Sequence, residues 1–220
     1  MVIPPGRKIE KISDRKITVY SLDNSASRTR EEIFMKNEII KIPKKRYRFH
    51  IVAEQLRIEE LEPNLPEDEV FKYISSGGFS AIGFVRFIAE KTHINRLIVS
   101  TLRVGKKHLQ VLDVLKNQGK LDDVFFIVGS LIKNDSDVGK SYKYYDNLLN
   151  ICEKNNWKTA VFNNHSKVLL FDTEAGKYVI ETSSNLNENP NVEQFSFEKN
   201  AELYNFYKDF FEKMIGDDVL

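Results

Sequence analysis

Cysteine is nearly absent from this chain of 220 residues, which carries only Cys152. A single thiol excludes an intrachain disulfide framework and a multi-cysteine zinc site. Its setting, YYDNLLNICEKNN, has a helical pattern and marks it as a reduced core residue. No run approaches the 18 apolar residues of a membrane-crossing helix. The basic N-terminus, MVIPPGRKIEKISDRK, lacks the apolar segment of a secretory leader, so the cytoplasm is the expected compartment. Charge of one sign in excess is also missing. With 33 Lys and Arg against 32 Asp and Glu the formal net charge is +1, so any surface for a polyanion must be a local patch. Internal repeats and low-complexity segments are absent. Histidine is scarce as well, with four in the chain, so the setting of each is informative.

What remains is an ordinary globular composition, 41% apolar and 30% charged, on a chain long enough to bury a substantial core. Residues 1–68 are charge-dense, with short alternating runs (KITVYSL, RYRFHIVAEQLRIEEL) and turn clusters, and read as a small β-rich accessory segment ending near Pro63 and Pro66. From 69 to 220 the pattern alternates. Phe79, Ile82, Val85 and Ile88 have helical spacing behind Gly77-Gly78, a helix-entry turn, and RLIVSTLRV is a short buried strand. KHLQVLDVLKNQ is a helix stopped by Gly119, and DVFFIVGSLI is a second buried strand. A long helix is expected in DSDVGKSYKYYDNLLNICEKNN from an Asp/Ser cap. SKVLLFD-TEAGK-YVIET reads as an antiparallel hairpin, and FEKNAELYNFYKDFFEKMI as an amphipathic helix with Leu203, Tyr207, Phe210 and Met214 on its apolar stripe. The sum is an α/β fold, a mixed β-sheet flanked by helices.

The chemistry concentrates between residues 163 and 193. His165, Lys167 and Asp172 stand as H-x-K-x4-D in a strand-like run, where residues two apart share a face. Two cationic groups converging on one side of a sheet are costly unless they meet an anion, and a phosphate would satisfy both by charge-assisted hydrogen bonds. Beyond the hairpin, TSSN puts Ser183 and Asn185 two apart, and NVE offers Glu193 as a carboxylate to hold the imidazole by its second nitrogen. His50, His93 and His108 have no such company and read as structural.

HSKVLLFD, TSSN and NVE, in this order, resemble the signature of the phospholipase D superfamily, over about residues 70–215. Two departures are visible. Thr182 occupies the first position of the Gly-Ser-x-Asn element, and the segment after Asp172 is a few residues longer. The resemblance implies a phospholipase D-like fold and phosphodiester chemistry through a phosphohistidine intermediate. His165 would be the nucleophile, Lys167 and Asn185 would bind the non-bridging oxygens, and Ser183 would assist by hydrogen bonding. Glu193 would orient the imidazole. Asp172 is counted with the catalytic set in a structural or electrostatic role rather than as a proton carrier. No cofactor or metal is implied, and the sequence has no carboxylate cluster or His/Cys set at metal-ligand spacing.

Only one motif is present, since HIN at 93 and HLQ at 108 lack the lysine. A mechanism that needs one histidine as nucleophile and another as acid then implies a homodimer with one shared site. Small single-motif members are mostly nucleases, which makes an endonuclease acting on DNA the expected function. KIPKKRYR and the set Arg103, Lys106 and Lys107 in LRVGKKH are candidate phosphate-backbone contacts, with solvated edge-strand charge as the competing reading. The alternatives are a non-catalytic nucleic-acid-binding or scaffold protein of the same fold, and a phospholipid phosphodiesterase or phosphatidyl transferase.

Overall fold

The computed structural model describes residues 45–52, 62–136, 143–187 and 190–215. Apart from these, the expectations for residues 1–44 and 53–61 lie outside the described residues. Eight strands form one sheet: β1 (Arg46–Val52), β2 (Glu69–Ser75), β3 (Ile94–Thr101), β4 (Leu121–Gly129), β5 (Lys158–Phe162), β6 (Val168–Thr173), β7 (Gly176–Thr182) and β8 (Glu193–Lys199). Four helices accompany them: α1 (Ile82–Lys91), α2 (Lys106–Asn117), α3 (Tyr144–Asn155) and α4 (Ala201–Ile215). The sheet order is β1-β2-β8-β7-β6-β3-β4-β5. β3, β4 and β5 are parallel, as are β1 and β2, and the four pairings from β2 through β8, β7 and β6 to β3 are antiparallel. This is the mixed, helix-flanked α/β sheet expected from the sequence.

Burial on both faces explains why β3 and β4 read as near-continuous apolar runs. Leu97, Val99, Phe126, Val128, Leu169 and Phe171 join the core beneath α1, α2 and α3, whereas Ile98, Phe125, Ile127, Val168 and Leu170 face α4. The buried stripe of α4 is Leu203, Tyr204, Phe211 and Met214, while Phe210 is 38% exposed. Tyr207 packs, partly buried, against the same cluster, so the expected stripe holds at Leu203, Tyr207 and Met214 and is displaced only at Phe210, where Phe211 is buried instead. The helix before β5 begins at Tyr144 with Lys143 at its cap position and no side-chain cap bond, not at an Asp/Ser cap. Ser130–Ser136 instead forms a 3-10 turn after β4.

Two strands were not read from the sequence, β2 and β8. Both are held by an aromatic cluster centred on Phe84 of α1, whose ring lies 5.2–5.5 Å from Tyr73, Phe79, Phe195 and Phe197. β8 alternates Phe195 and Phe197 with Gln194, Ser196 and Glu198, a period-two signal hidden by its polar half. β1 extends the same sheet as its edge strand, with Arg48 bound to Glu62 and Glu69. The turn after β2 needs glycine at position 77. Its φ is +124°, and a Cβ there would meet the Pro190 carbonyl oxygen at 2.2 Å.

Candidate active site

The strand directions bring distant parts of the chain to one edge of the sheet. β2, β3, β4, β5 and β7 end there, and β6 and β8 begin there. The motif segments stand at that edge, outside the carboxyl ends of parallel strands, where open α/β sheets commonly bind ligands.

His165 and Lys167 were expected within a strand, but the structure puts both just ahead of β6. The reason is local. Asn164 Oδ1 accepts the Ser166 N–H at 3.0 Å and the Ser166 hydroxyl at 2.7 Å, turning the chain before the ladder takes over. The ladder is joined at Lys167, whose carbonyl accepts the Thr182 N–H at 3.1 Å. The two side chains nevertheless meet. Lys167 Nζ lies 3.0 Å from His165 Nδ1 and donates to the His165 carbonyl oxygen at 2.7 Å. An ammonium can only donate, so Nδ1 accepts and the ring is neutral with its proton on Nε2. The apparent repulsion between neighbours is thereby removed. His165 is exposed and Lys167 half-buried. Burial holds the Lys167 ammonium below its ordinary pKa of 10.5, and the Glu193 carboxylate pulls it back up.

Asn185 is clamped by its oxygen. Oδ1 accepts the Leu102 N–H at 3.2 Å and the Thr101 hydroxyl at 3.4 Å, both at the end of β3. That identifies Nδ2 as the donor end of the amide. Ser183 is exposed, yet its hydroxyl donates to Glu193 Oε2 and accepts the Gln194 N–H at 3.0 Å. Its proton is thus given to Glu193 in this arrangement. Glu193 is only 6% exposed and sits at the start of β8, opposite Ser75 of β2. With Nδ1 taken by Lys167, a carboxylate that orients this imidazole has only Nε2 to hold.

Asp172 stands apart from the other motif residues, in keeping with a structural or electrostatic role. It lies near the far end of β6, paired in register with Arg96 of β3 and Lys177 of β7. Five steps of extended chain separate it from Lys167, roughly 17 Å at about 3.3 Å per residue. The structure therefore brings His165, Lys167, Ser183, Asn185 and Glu193 to one edge and leaves Asp172 at the other, in register with two cations. An Asp on the same strand as a Lys looks adjacent in sequence, but extended backbone carries it across the sheet.

Residues not singled out from the sequence complete the edge. Ser100, Thr101, Leu102 and Asn164 surround the motif, and Ser100 Oγ lies 2.5 Å from Ser166 Oγ. The sequence signal for Asn164 was the Asn-x-Ser spacing of an Asx-turn. Of the other histidines, His93 bonds Asp122 at 2.8 Å, His108 is buried with Nε2 2.7 Å from Ser80 Oγ, and His50 stacks on Tyr73 at 4.7 Å. In the described part of KIPKKRYR, Lys45 and Arg48 are bound to acidic partners. Lys106 and Lys107 are exposed at the start of α2. Among the described residues no group of three or more His, Cys, Asp or Glu side chains converges as a metal site, and no helix is long and apolar enough to cross a membrane.

No family model and no curated protein sequence matches the chain. Among solved structures it is similar to polyphosphate kinase from Porphyromonas gingivalis, at 13% identity and a TM-score of 0.42, over 60% of this chain and 23% of that one. It is also similar to phosphatidylserine synthase from Haemophilus influenzae Rd KW20, at 18% identity and a TM-score of 0.47, over 66% of this chain and 37% of that one. The chain thus spans well under half the length of either structure.

Proposed function

We propose that the protein is a phosphodiesterase of the phospholipase D type, acting on nucleic acid through a phosphohistidine intermediate, with DNA the favoured substrate. The observation that carries this reading is the His165–Lys167 contact, 3.0 Å from Nδ1 to Nζ, at a sheet edge shared with Asn185. A neutral imidazole, an ammonium and an amide donor form a set suited to a tetrahedral anion.

The steps follow from the donors available. An incoming phosphodiester competes for the Lys167 ammonium and draws it from Nδ1 to a non-bridging oxygen. Asn185 Nδ2 binds a second oxygen. Once Lys167 has left Nδ1, the exposed ring exchanges its proton with water so that Nδ1 carries it and offers it to Glu193, and Nε2 attacks phosphorus, forming the N–P bond as one ester P–O bond breaks. The leaving oxygen takes a proton from a second imidazole that enters the step protonated. Water then gives a proton back to that imidazole and attacks phosphorus, the N–P bond breaks, the phosphate monoester is released and His165 is restored. One chain supplies one such motif, so we assign the second imidazole to an identical subunit across a two-fold axis.

Two experiments test this. Cleavage of labelled plasmid, single-stranded DNA and RNA is expected to persist in excess EDTA; loss on chelation with recovery in Mg²⁺ would overturn the phosphohistidine route. Anionic phospholipid vesicles belong in the same assay, because cleavage there alone would move the substrate to lipid. In the second, wild-type chains are unfolded and refolded with an equal amount of His165→Ala chains. About a quarter of randomly paired dimers then hold both histidines. Activity should fall to about half that of the same wild-type chains refolded alone. No fall, or an active monomer in sedimentation, would refute the shared site.

A further inference from the structure

Between β5 and β6 the chain must carry His165 and Lys167 across the upper edge outside the regular ladder. Five of the side-chain contacts that anchor this passage belong to Asn164, and a sixth joins the Ser166 and Ser100 hydroxyls. Its Oδ1 accepts from the Ser166 N–H and hydroxyl, at 3.0 and 2.7 Å. Its Nδ2 donates to Ser100 Oγ and to the Ile127 carbonyl, both at 3.0 Å, with the Thr101 carbonyl at 3.4 Å. The side chain is 7% exposed and so sits beneath the loop rather than beside a ligand. It ties the loop to β3 and β4 together.

The end of β4 is shaped for the same contact. Gly129 pairs with Phe162, and a Cβ at Gly129 would meet the Asn164 carbonyl oxygen at 2.6 Å and Leu102 Cδ1 at 2.4 Å. The loop lies as close to the sheet as backbone permits only because that position has no side chain.

We propose that Asn164 is a positioning residue: its carboxamide sets the path of the chain through His165 and Lys167, and so holds the imidazole and the ammonium in contact. The chemistry requires an amide. Its nitrogen faces two backbone carbonyls and a hydroxyl, and its oxygen faces two donors. Aspartate has nearly the same shape but would set an acceptor against the Ile127 and Thr101 carbonyls. Asn164 touches no reacting atom and acts through its neighbours' geometry.

The kinetic part of this inference rests on the phosphodiesterase reading, whereas the geometric part does not. Asn164→Asp is expected to lower kcat by about 10²-fold with KM changed less than about threefold, the signature of displaced rather than missing groups. Asn163→Ala, an exposed neighbour, should leave both unchanged. Nitrogen-15 NMR of the four histidines gives a readout without turnover, with the His165 signal identified by its loss in His165→Ala. In the wild type Nδ1 should have the shift of an acceptor and Nε2 that of a protonated nitrogen. In Asn164→Asp the two should move toward a tautomer average. A folded Asn164→Asp protein with wild-type shifts overturns the inference, whether or not any substrate is cleaved. Should that variant fail to fold, Ser166→Ala removes one of the five Asn164 contacts together with the bond to the Ser100 hydroxyl. It should shift the His165 signals in the same direction and cost up to about tenfold in kcat; unchanged signals there overturn the inference as well. A wild-type protein that cleaves nothing but shows these shifts would remove the proposed function and leave the role of Asn164 standing.

Discussion

The two ends of β6 carry the two halves of one sequence motif and follow opposite electrostatic rules. At the lower end Asp172 is paired in strand register with Arg96 and Lys177, Arg96 binds Asp123 at 3.0 Å, and His93 binds Asp122 at 2.8 Å. Charge there is answered by charge within the fold. At the upper end Lys167 spends its hydrogen bonds on an imidazole and a carbonyl, and Asn185 meets the end of β3 through its amide oxygen. One end is complete in itself, and the other is the end at which we propose an anionic ligand binds. Adjacency in sequence does not make a site when an extended strand lies between the residues.

The largest effects should come from the upper end. His165→Ala should abolish turnover, and Lys167→Ala should lower the rate by about 10²-fold or more, with thermal unfolding nearly unchanged in both. Near-normal rates in the lysine variant would break the comparison, because the ligand-facing cation would then be idle.

Asp172→Asn should behave in reverse. Loss of its charge in register with two cations should cost about 1 kcal/mol or less in denaturant unfolding, with kcat kept within about threefold. A large rate loss without loss of stability would return Asp172 to the catalytic set.

The upper end can be sharpened by pH. Since Lys167 titrates below its ordinary 10.5, the alkaline limb of kcat/KM should begin below the range of a free lysine. Glu193 raises that pKa, so Glu193→Gln should move the limb further down as well as reduce the rate. An unmoved limb in this variant would show that the limb belongs to another group.

The smallest effect belongs to His93. Its bond to Asp122 raises its pKa above 6.5, so the folded state binds the proton more tightly than the unfolded chain. The contribution should be fully present below about pH 6.5 and disappear as pH rises through the folded-state value. Stability measured against His93→Ala should therefore differ by a few tenths of a kcal/mol at pH 5.5 and converge at alkaline pH.

The alternation of apolar runs was enough to read β3, β4 and α2, because burial on both faces or on one stripe leaves a clear periodic trace. β8 was missed because it alternates aromatic with polar residues, β2 because Lys72 interrupts its apolar run, and the partners of both around Phe84 lie elsewhere in the sequence. Similarly, the residue types of the site were legible in HSK, TSSN and NVE, since an imidazole, an ammonium and an amide have the same chemistry wherever they fall.

Sequence alone determined the inventory: an α/β chain, one His–Lys pair, one Asn and one Glu in order, and a thiol for the core. Tertiary structure decided which of them meet. Parallel and antiparallel pairing brought the end of β3 and the starts of β6 and β8 to one edge and sent Asp172 to the other. It also placed Asn164 beneath the loop, against carbonyls of β3 and β4 some 63 and 37 residues away. Side-chain chemistry is a property of each residue, but proximity depends on strand direction and register, which only the assembled sheet sets.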